Sequence, residues 1–267
     1  MPKIEVCEVG SIQDFVGCVL DRHSPAVPTW YRGSGDRADK LRPLLYRNDA
    51  EDLPAIIAKE RDLLAKFRQR SLPYLARDLV DDDDNLLFMQ HYRIPTRLLD
   101  WTENPLVALF FALTDSRAAQ IARSAVWLLR PVLWNRRFLK DIKEEPRVLS
   151  AKEDILKPYW DVTAKNFRDW PLALHGAHNS VRLAAQKGTF VLFPQTSKDP
   201  MEAWIARDNG KEFDRGTLVR IEIPPEAVVG MREALFALGI TEATVYPDLE
   251  GLAKELSRES GTGGGAS

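Results

Sequence analysis

Pro105-Leu106-Val107-Ala108-Leu109-Phe110-Phe111-Ala112-Leu113 is apolar on every side and reads as a helix, so it can only be a helix enclosed by other elements. Directly before it stands Gln90-His91-Tyr92-Arg93-Ile94-Pro95-Thr96-Arg97-Leu98-Leu99-Asp100-Trp101-Thr102, crowded with groups that hydrogen-bond and pair charge. A short polar segment joined to a buried helix is presented rigidly, as the floor of a pocket requires. Chemistry is expected there first.

The helical run spans roughly ten residues, too few for a bilayer, which needs ~20. The 267 residues suffice for one large domain or two small ones with a sizeable core. Hydrophobic residues make up 45% and charged residues 28%, the balance of a soluble globular chain. A net charge of −2 and a pI near 6.1 provide no global field that would recruit nucleic acid or an anionic membrane. Met1-Pro2-Lys3 leads into an alternating segment with no signal-peptide apolar region. Cys7 and Cys18 lack metal-type spacing and read as packing residues in a reducing compartment. The expectation is a cytoplasmic protein.

Residues 4–9 alternate as a half-buried strand does. Ser11 caps a helix to about His23, with Ile12, Phe15, Val16, Val19 and Leu20 on one face. Trp30-Tyr31-Arg32-Gly33 reads as a short strand, residues 51–70 as a helix, and 72–79 as another. Asp81 to Asp84 read as a solvated loop and helix N-terminus rather than a metal site. Residues 85–92 form the helix that enters the central run and stops before Pro95. Further strands are predicted at 125–129, 181–185, 189–193 and 217–223, and helices from Pro224-Pro225 to about Leu238 and over 249–256. Residues 135–175 are charged and irregular, an excursion or lid, and 257–267 a flexible tail. The pattern predicts one α+β domain over 1–256, a small mixed or antiparallel sheet core flanked by helices.

Tyr31-Arg32-Gly33, the 90–102 run and Gln186-Lys187-Gly188-Thr189-Phe190 together resemble, in order and content, the FRG domain family, named for Phe-Arg-Gly; tyrosine takes the first place here. Leu238-Gly239-Ile240 and the stretch from Tyr246-Pro247 to Ala253 resemble the end of such domains, so the resemblance covers nearly the whole chain. By analogy between folds, it implies an ADP-ribosyltransferase-like architecture. There an arginine on the first core strand holds the dinucleotide, a Ser/Thr-bearing strand precedes a buried helix, and a later strand supplies a catalytic glutamate. Arg32 matches the first element, and Thr96 to Thr102 with the following helix match the second. Gln186 stands where the glutamate is expected, and no glutamate flanks it.

The residues themselves carry alternatives. Arg32 offers a planar fork for pyrophosphate or carboxylate, beside Gly33 that would admit a ligand to the backbone; it could equally pair with Asp100 inside the core, and the resemblance favours the ligand. Asp100 lies between Leu99 and Trp101 and so points away from both on a strand. It reads first as a brace with Arg32 or Arg97, and second as a ribose acceptor or general base. Thr96 and Thr102 carry hydroxyls for phosphate or ribose, though Thr102 reads best as a helix cap. Trp101 reads as core, and Tyr31 or Tyr92 could stack on nicotinamide. His91 could donate a proton or only a hydrogen bond, and Arg182 could contact phosphate. His175 and His178 are two groups flanking a glycine and do not make a zinc site. Gln186 cannot act as a carboxylate base, so Asp100 and Glu103 are the other candidates for that charge. No Walker loop, Rossmann glycine motif or nucleophile elbow is present.

The resemblance therefore implies a nucleotide ligand, NAD, with no metal. Arg32, Thr96, Asp100 and Gln186 form the catalytic set, and Tyr31, Arg32, Gly33, His91, Arg97, Thr102 and Arg182 the binding set. The implied activity is ADP-ribosyl transfer to a protein or nucleic-acid acceptor, or NAD hydrolysis, in a bacterial stress, toxin or phage-defence setting. A non-catalytic sensor or protein-binding module with a degenerate pocket is the alternative.

Overall fold

The alternating segment forms β1, Glu5–Glu8, and the Ser11 hydroxyl accepts from the amide of Asp14 at 3.1 Å to start α1, Ile12–Leu20. The computed structural model describes residues 4–75, 79, 81–115, 117–118, 123–161, 169–176, 181–207, 213 and 216–261. Trp30–Ser34 is β2, Leu53–Ser71 is α2, and Asp82–His91 is α3. Leu98–Thr102 is β3 and Pro105–Thr114 is α4. Next come β4 (Ser124–Leu129), α5 (Pro131–Asp141), β5 (Leu149–Ser150), α6 (Lys157–Trp160) and β6 (Leu172–His175). The chain continues through α7 (Val181–Ala185), β7 (Gly188–Leu192), α8 (Met201–Arg207) and β8 (Leu218–Ile223). It closes with α9 (Pro225–Ala237), α10 (Glu242–Val245) and α11 (Leu249–Glu259).

Among the described residues, eight strands join in one mixed sheet, β1-β8-β4-β2-β3-β7-β6-β5, parallel at β1–β8 and β5–β6 and antiparallel elsewhere. Trp127 and Leu129 of β4 pack into one apolar core, and Val126 and Leu128 into a second with α1, α4 and α9. Burial on both faces is why β4 reads as an unbroken apolar run. The molecule is a single α+β domain, with a sheet larger than the small one expected.

Two features of the sheet set the site. First, α4 lies directly on β2: a Cβ on Gly33 would stand 1.9 Å from the Ala108 carbonyl oxygen and 2.6 Å from the Ala112 nitrogen. Gly33 is therefore required by the helix that crosses it. Second, β2 pairs with β4 at five positions and β3 with β7 at five, but β2 and β3 pair only at Tyr31 and Thr102. Beyond that pair the two strands part, opening the sheet between Arg32 and Asp100.

Several expectations need correction. Residues 181–185 form the helix α7 instead of a strand; five residues are too few for periodicity to separate the two. Within 135–175, the described residues supply β5 and β6, which end the sheet, and Phe138, Leu149, Tyr159 and Leu172 of the core; 162–168 lie outside the described residues. The face of α1 is Ile12, Phe15, Cys18 and Val19, leaving Val16 and Leu20 exposed. Only a 3-10 turn, Leu72–Tyr74, occupies the described start of 72–79; residues 76–78 and 80 lie outside the described residues. Residues 257–259 belong to α11 and not to a tail, while 262–267 lie outside the described residues.

The aspartates 81–84 are not simply solvated. Lys152 Nζ reaches Asp81, Asp83 and Asp84 at 3.2, 2.8 and 3.1 Å, with Asp83 buried. Cys7 on β1 and Cys18 on α1 bring their sulfurs to 3.1 Å. Burial and the neighbouring Cys7 push the Cys18 thiol up to about 12. No helix among the described residues is long and apolar enough to cross a membrane.

Candidate functional site

The parting of β2 and β3 forms a cleft of about 340 Å³. Its walls come from both sides of the sheet: Gln90 and His91 from the end of α3, Phe190 from β7, Phe111 from α4, and Tyr246 from the turn before α11. Arg32 and Asp100 face each other across the opening. The Arg32 guanidinium donates to the backbone carbonyl of Asp100 at 2.6 Å, so a side chain takes a carbonyl that β2 leaves unpaired.

The Asp100 carboxylate is held from the other side. Gln90 Nε2 donates to Asp100 Oδ2 at 2.7 Å, Thr96 Oγ1 donates to Gln90 Oε1 at 2.5 Å, and the Leu98 amide donates to Thr96 Oγ1 at 3.1 Å. This chain fixes the Gln90 amide with its N–H toward the acid. Asp100 is the one exposed residue of β3 and opens to the cleft. Desolvation raises its carboxyl above the usual range, opposed by the charge of Arg32, the Gln90 bond and Arg182. The same burial lowers Arg32, offset by Asp100. His91 is pushed down by burial and by Arg182, against the pull of Asp100. A desolvated carboxylate aimed into a cleft beside a guanidinium can accept a proton or stabilise positive charge.

Of the sequence-derived candidates, Tyr31, Arg32, Gly33, His91, Asp100, Thr102, Arg182 and Gln186 line this one cleft. Thr96 does not; it is fully buried beneath Gln90 and acts on Asp100 only through it. Arg97 is also absent. Its Nε donates to Glu60 Oε2 at 2.6 Å, and its Nη atoms donate to the Phe193 and Tyr159 carbonyls, sealing it in the core. Thr102 does not cap α4: Asn104 does, accepting from the Leu106 amide at 3.0 Å. The Thr102 hydroxyl donates instead to the Gln186 carbonyl at 2.5 Å.

Gln186 sits in the turn after α7, not on a strand, and its amide donates to the Val245 carbonyl at 3.0 Å. It ties α10 to the cleft wall. Tyr31 is buried, and burial raises its hydroxyl to about 12. His178 lies outside the described residues. Among the described residues, no group of three or more His, Cys, Asp or Glu could hold a metal ion.

Three participants escaped the sequence reading: Gln90, Arg93 and Tyr246. Gln90 opens the polar run and was readable as a partner only once α3 and β3 were placed side by side. Arg93 carries a left-handed backbone, φ +61°, which no residue pattern announces.

Residues 27–120 match the family model for the FRG domain. Over that segment the chain is similar to FRG domains. The match takes in Arg32, Gln90 and Asp100, and leaves Arg182, Gln186 and Tyr246 beyond it. No curated protein and no solved structure matches the chain. The wall of the cleft that carries Arg182, Gln186 and Tyr246 thus comes from sequence outside the matched segment.

Proposed function

We propose that the cleft binds a nucleotide of the NAD type and cleaves its nicotinamide–ribose bond, passing ADP-ribose to water or to a protein or nucleic-acid acceptor. The single observation that carries this reading is the Asp100 carboxylate, fixed by Gln90 opposite Arg32 in an open cleft. Loss of nicotinamide leaves positive charge on the ribosyl carbon, which a nearby carboxylate stabilises. The bond that breaks is the glycosidic C–N bond; its electron pair leaves with nicotinamide. With water as acceptor, the new C–O bond gives ADP-ribose and one proton, and Asp100 is placed to receive that proton. The negative charge expected from a glutamate near Gln186 is on this reading supplied by Asp100. Tyr31 and Phe111 offer aromatic surface for the departing ring. A bacterial stress, toxin or defence role belongs to the same proposal and rests on the family resemblance alone.

Incubation of the full chain with NAD, with and without candidate acceptors, tests this through nicotinamide release. Release that falls about a hundredfold in Asp100→Asn supports it. Absence of release under every condition counts against it. One observation favours a second reading, a non-catalytic sensor: the Gln186 amide is engaged by Val245, and no glutamate lines the described cleft. Calorimetric binding of NAD without any release would select that reading.

A further inference from the structure

We propose that the mouth of the cleft is an anion subsite formed by Arg93 and Arg182 on the ring of Tyr246, and that it takes the diphosphate of a nucleotide whose ribose reaches Asp100. The inference rests on the nucleotide reading above and moves the diphosphate away from Arg32.

A second hollow, of about 440 Å³, adjoins the cleft and shares His91, Arg93, Arg182 and Tyr246 with it as a common wall. The Arg182 guanidinium carbon lies 4.6 Å from the Tyr246 ring centroid and that of Arg93 6.0 Å, with Lys254 Nζ at 5.7 Å. Three cations thus gather at one aromatic ring. Stacking holds a guanidinium by its face and leaves the N–H edges, which form the fork that matches phosphate oxygens. Among the described residues, Arg93 and Arg182 have no hydrogen bond from their side chains to another group and no ion pair.

The nearby carboxylates are already engaged. Glu250 holds Lys254 at 2.6 Å, and Asp248 accepts from the Gly251 amide at 2.8 Å at the start of α11. Asp100 is held by Gln90 at 2.7 Å. This leaves two guanidinium forks facing the shared opening.

The backbone supports the placement. Arg93 adopts its left-handed φ at the end of α3, where its amide donates to the Gln90 carbonyl at 3.0 Å and the Ile94 amide to Met89 at 2.9 Å. That turn stops the helix and carries Arg93 to the Tyr246 side of the mouth. Across from it, α7 presents Arg182 one helical turn before Gln186, whose amide fixes the neighbouring Val245. Arg32, by contrast, already donates to the Asp100 carbonyl, and so is less available for a diphosphate.

Calorimetric titration of the full chain with inorganic pyrophosphate, ADP-ribose and adenosine tests the subsite. Pyrophosphate and ADP-ribose are each expected to bind about tenfold more weakly to Arg182→Gln and to Arg93→Gln, and more weakly as salt rises. Asp100→Asn should keep its pyrophosphate affinity within about twofold, and Arg182→Lys should restore only part of the loss. Thermal melts check that each variant folds; should Arg93→Gln fail, Arg182→Gln still decides the matter. Pyrophosphate affinity unchanged in Arg182→Gln overturns the subsite. Pyrophosphate binding as tightly as ADP-ribose overturns the nucleotide assignment and leaves free diphosphate as the ligand. Arginine-dependent pyrophosphate binding without NAD cleavage keeps the subsite and sinks the reaction. Nicotinamide release with unaltered KM in both arginine variants does the reverse.

Discussion

Arg97 and Arg32 are two arginines that meet the same short strand, and their surroundings are opposite. Arg97, just before β3, is 1% exposed and its partner Glu60 is fully buried. Its guanidinium donates to one carboxylate and two carbonyls, and its own amide also reaches Glu60 at 3.3 Å. Arg32, on β2, makes one such bond, to the Asp100 carbonyl, and its remaining edge faces the cleft. A guanidinium whose donors are used up by protein holds the fold together; one whose donors face a cavity can still take a ligand. The resemblance to a family had placed both residues in a binding set. Only the count of satisfied donors separates them.

The largest effect expected from this contrast is on stability, at the buried pair. Glu60→Ala leaves Arg97 charged and unpaired in the core and should cost about 3–5 kcal/mol. Urea unfolding measures it; a loss below about 1 kcal/mol, the range of exposed pairs, would show that the two arginines do not differ as described. Replacing both partners with apolar residues of similar shape should recover part of the loss, because it removes the stranded charge.

The cleft pair should behave in the other way. Asp100→Asn keeps the shape and the Gln90 contact surface but removes the charge, so nicotinamide release should fall by about two orders of magnitude. The urea midpoint should hardly move. An Asn variant that unfolds as readily as Glu60→Ala would make Asp100 a brace and erase the contrast.

A smaller loss is expected at Gly33, where fold and cleft share a residue. An alanine there would press its Cβ against the backbone of α4 at Ala108 and Ala112, neither of which can swing aside. The cost of such overpacking is about 1–3 kcal/mol, read as a lower urea midpoint. If Gly33 instead served a ligand, Gly33→Ala would raise KM at unchanged stability.

How far all this could be read from the sequence follows the physics of each segment. The strands β1, β2, β4, β7 and β8 were legible because alternation and apolar runs are local signals, while β3 followed from the family resemblance. The burial of α4 was legible for the same reason. The convergence of Arg32, Asp100 and Gln186 on one cleft was also anticipated, through the family resemblance. What escaped depended on three dimensions. Thr96 and Arg97 lie in the interior and not on the cleft wall, because their partners Gln90 and Glu60 stand on other elements. Gly33 read as an opening for a ligand because its helical neighbour lies 75 residues further along, at Ala108. Cys7 and Cys18 meet only because α1 folds back on β1. The five residues of α7 carried no period long enough to read.

The subtlest way to sharpen the contrast is through pH. In the folded chain the Asp100 carboxyl is raised, because desolvation outweighs Arg32 and Gln90. The folded state therefore holds this proton more tightly than the unfolded state, whose value is about 3.9. Stability from this source is complete below that value and is lost as pH rises through the higher folded one. Asp100→Asn has no proton to lose at this position. Its melting temperature, relative to the native chain, should thus climb between pH 3.5 and neutrality, by a margin smaller than the effects above. The sign is the useful part. An acid whose partners overcompensated its burial would have a lowered value, and the native chain would then gain on the variant as pH rises. A melting series that bends that way would class Asp100 with Glu60 as a structural partner, and the cleft would lose the carboxylate on which its chemistry depends.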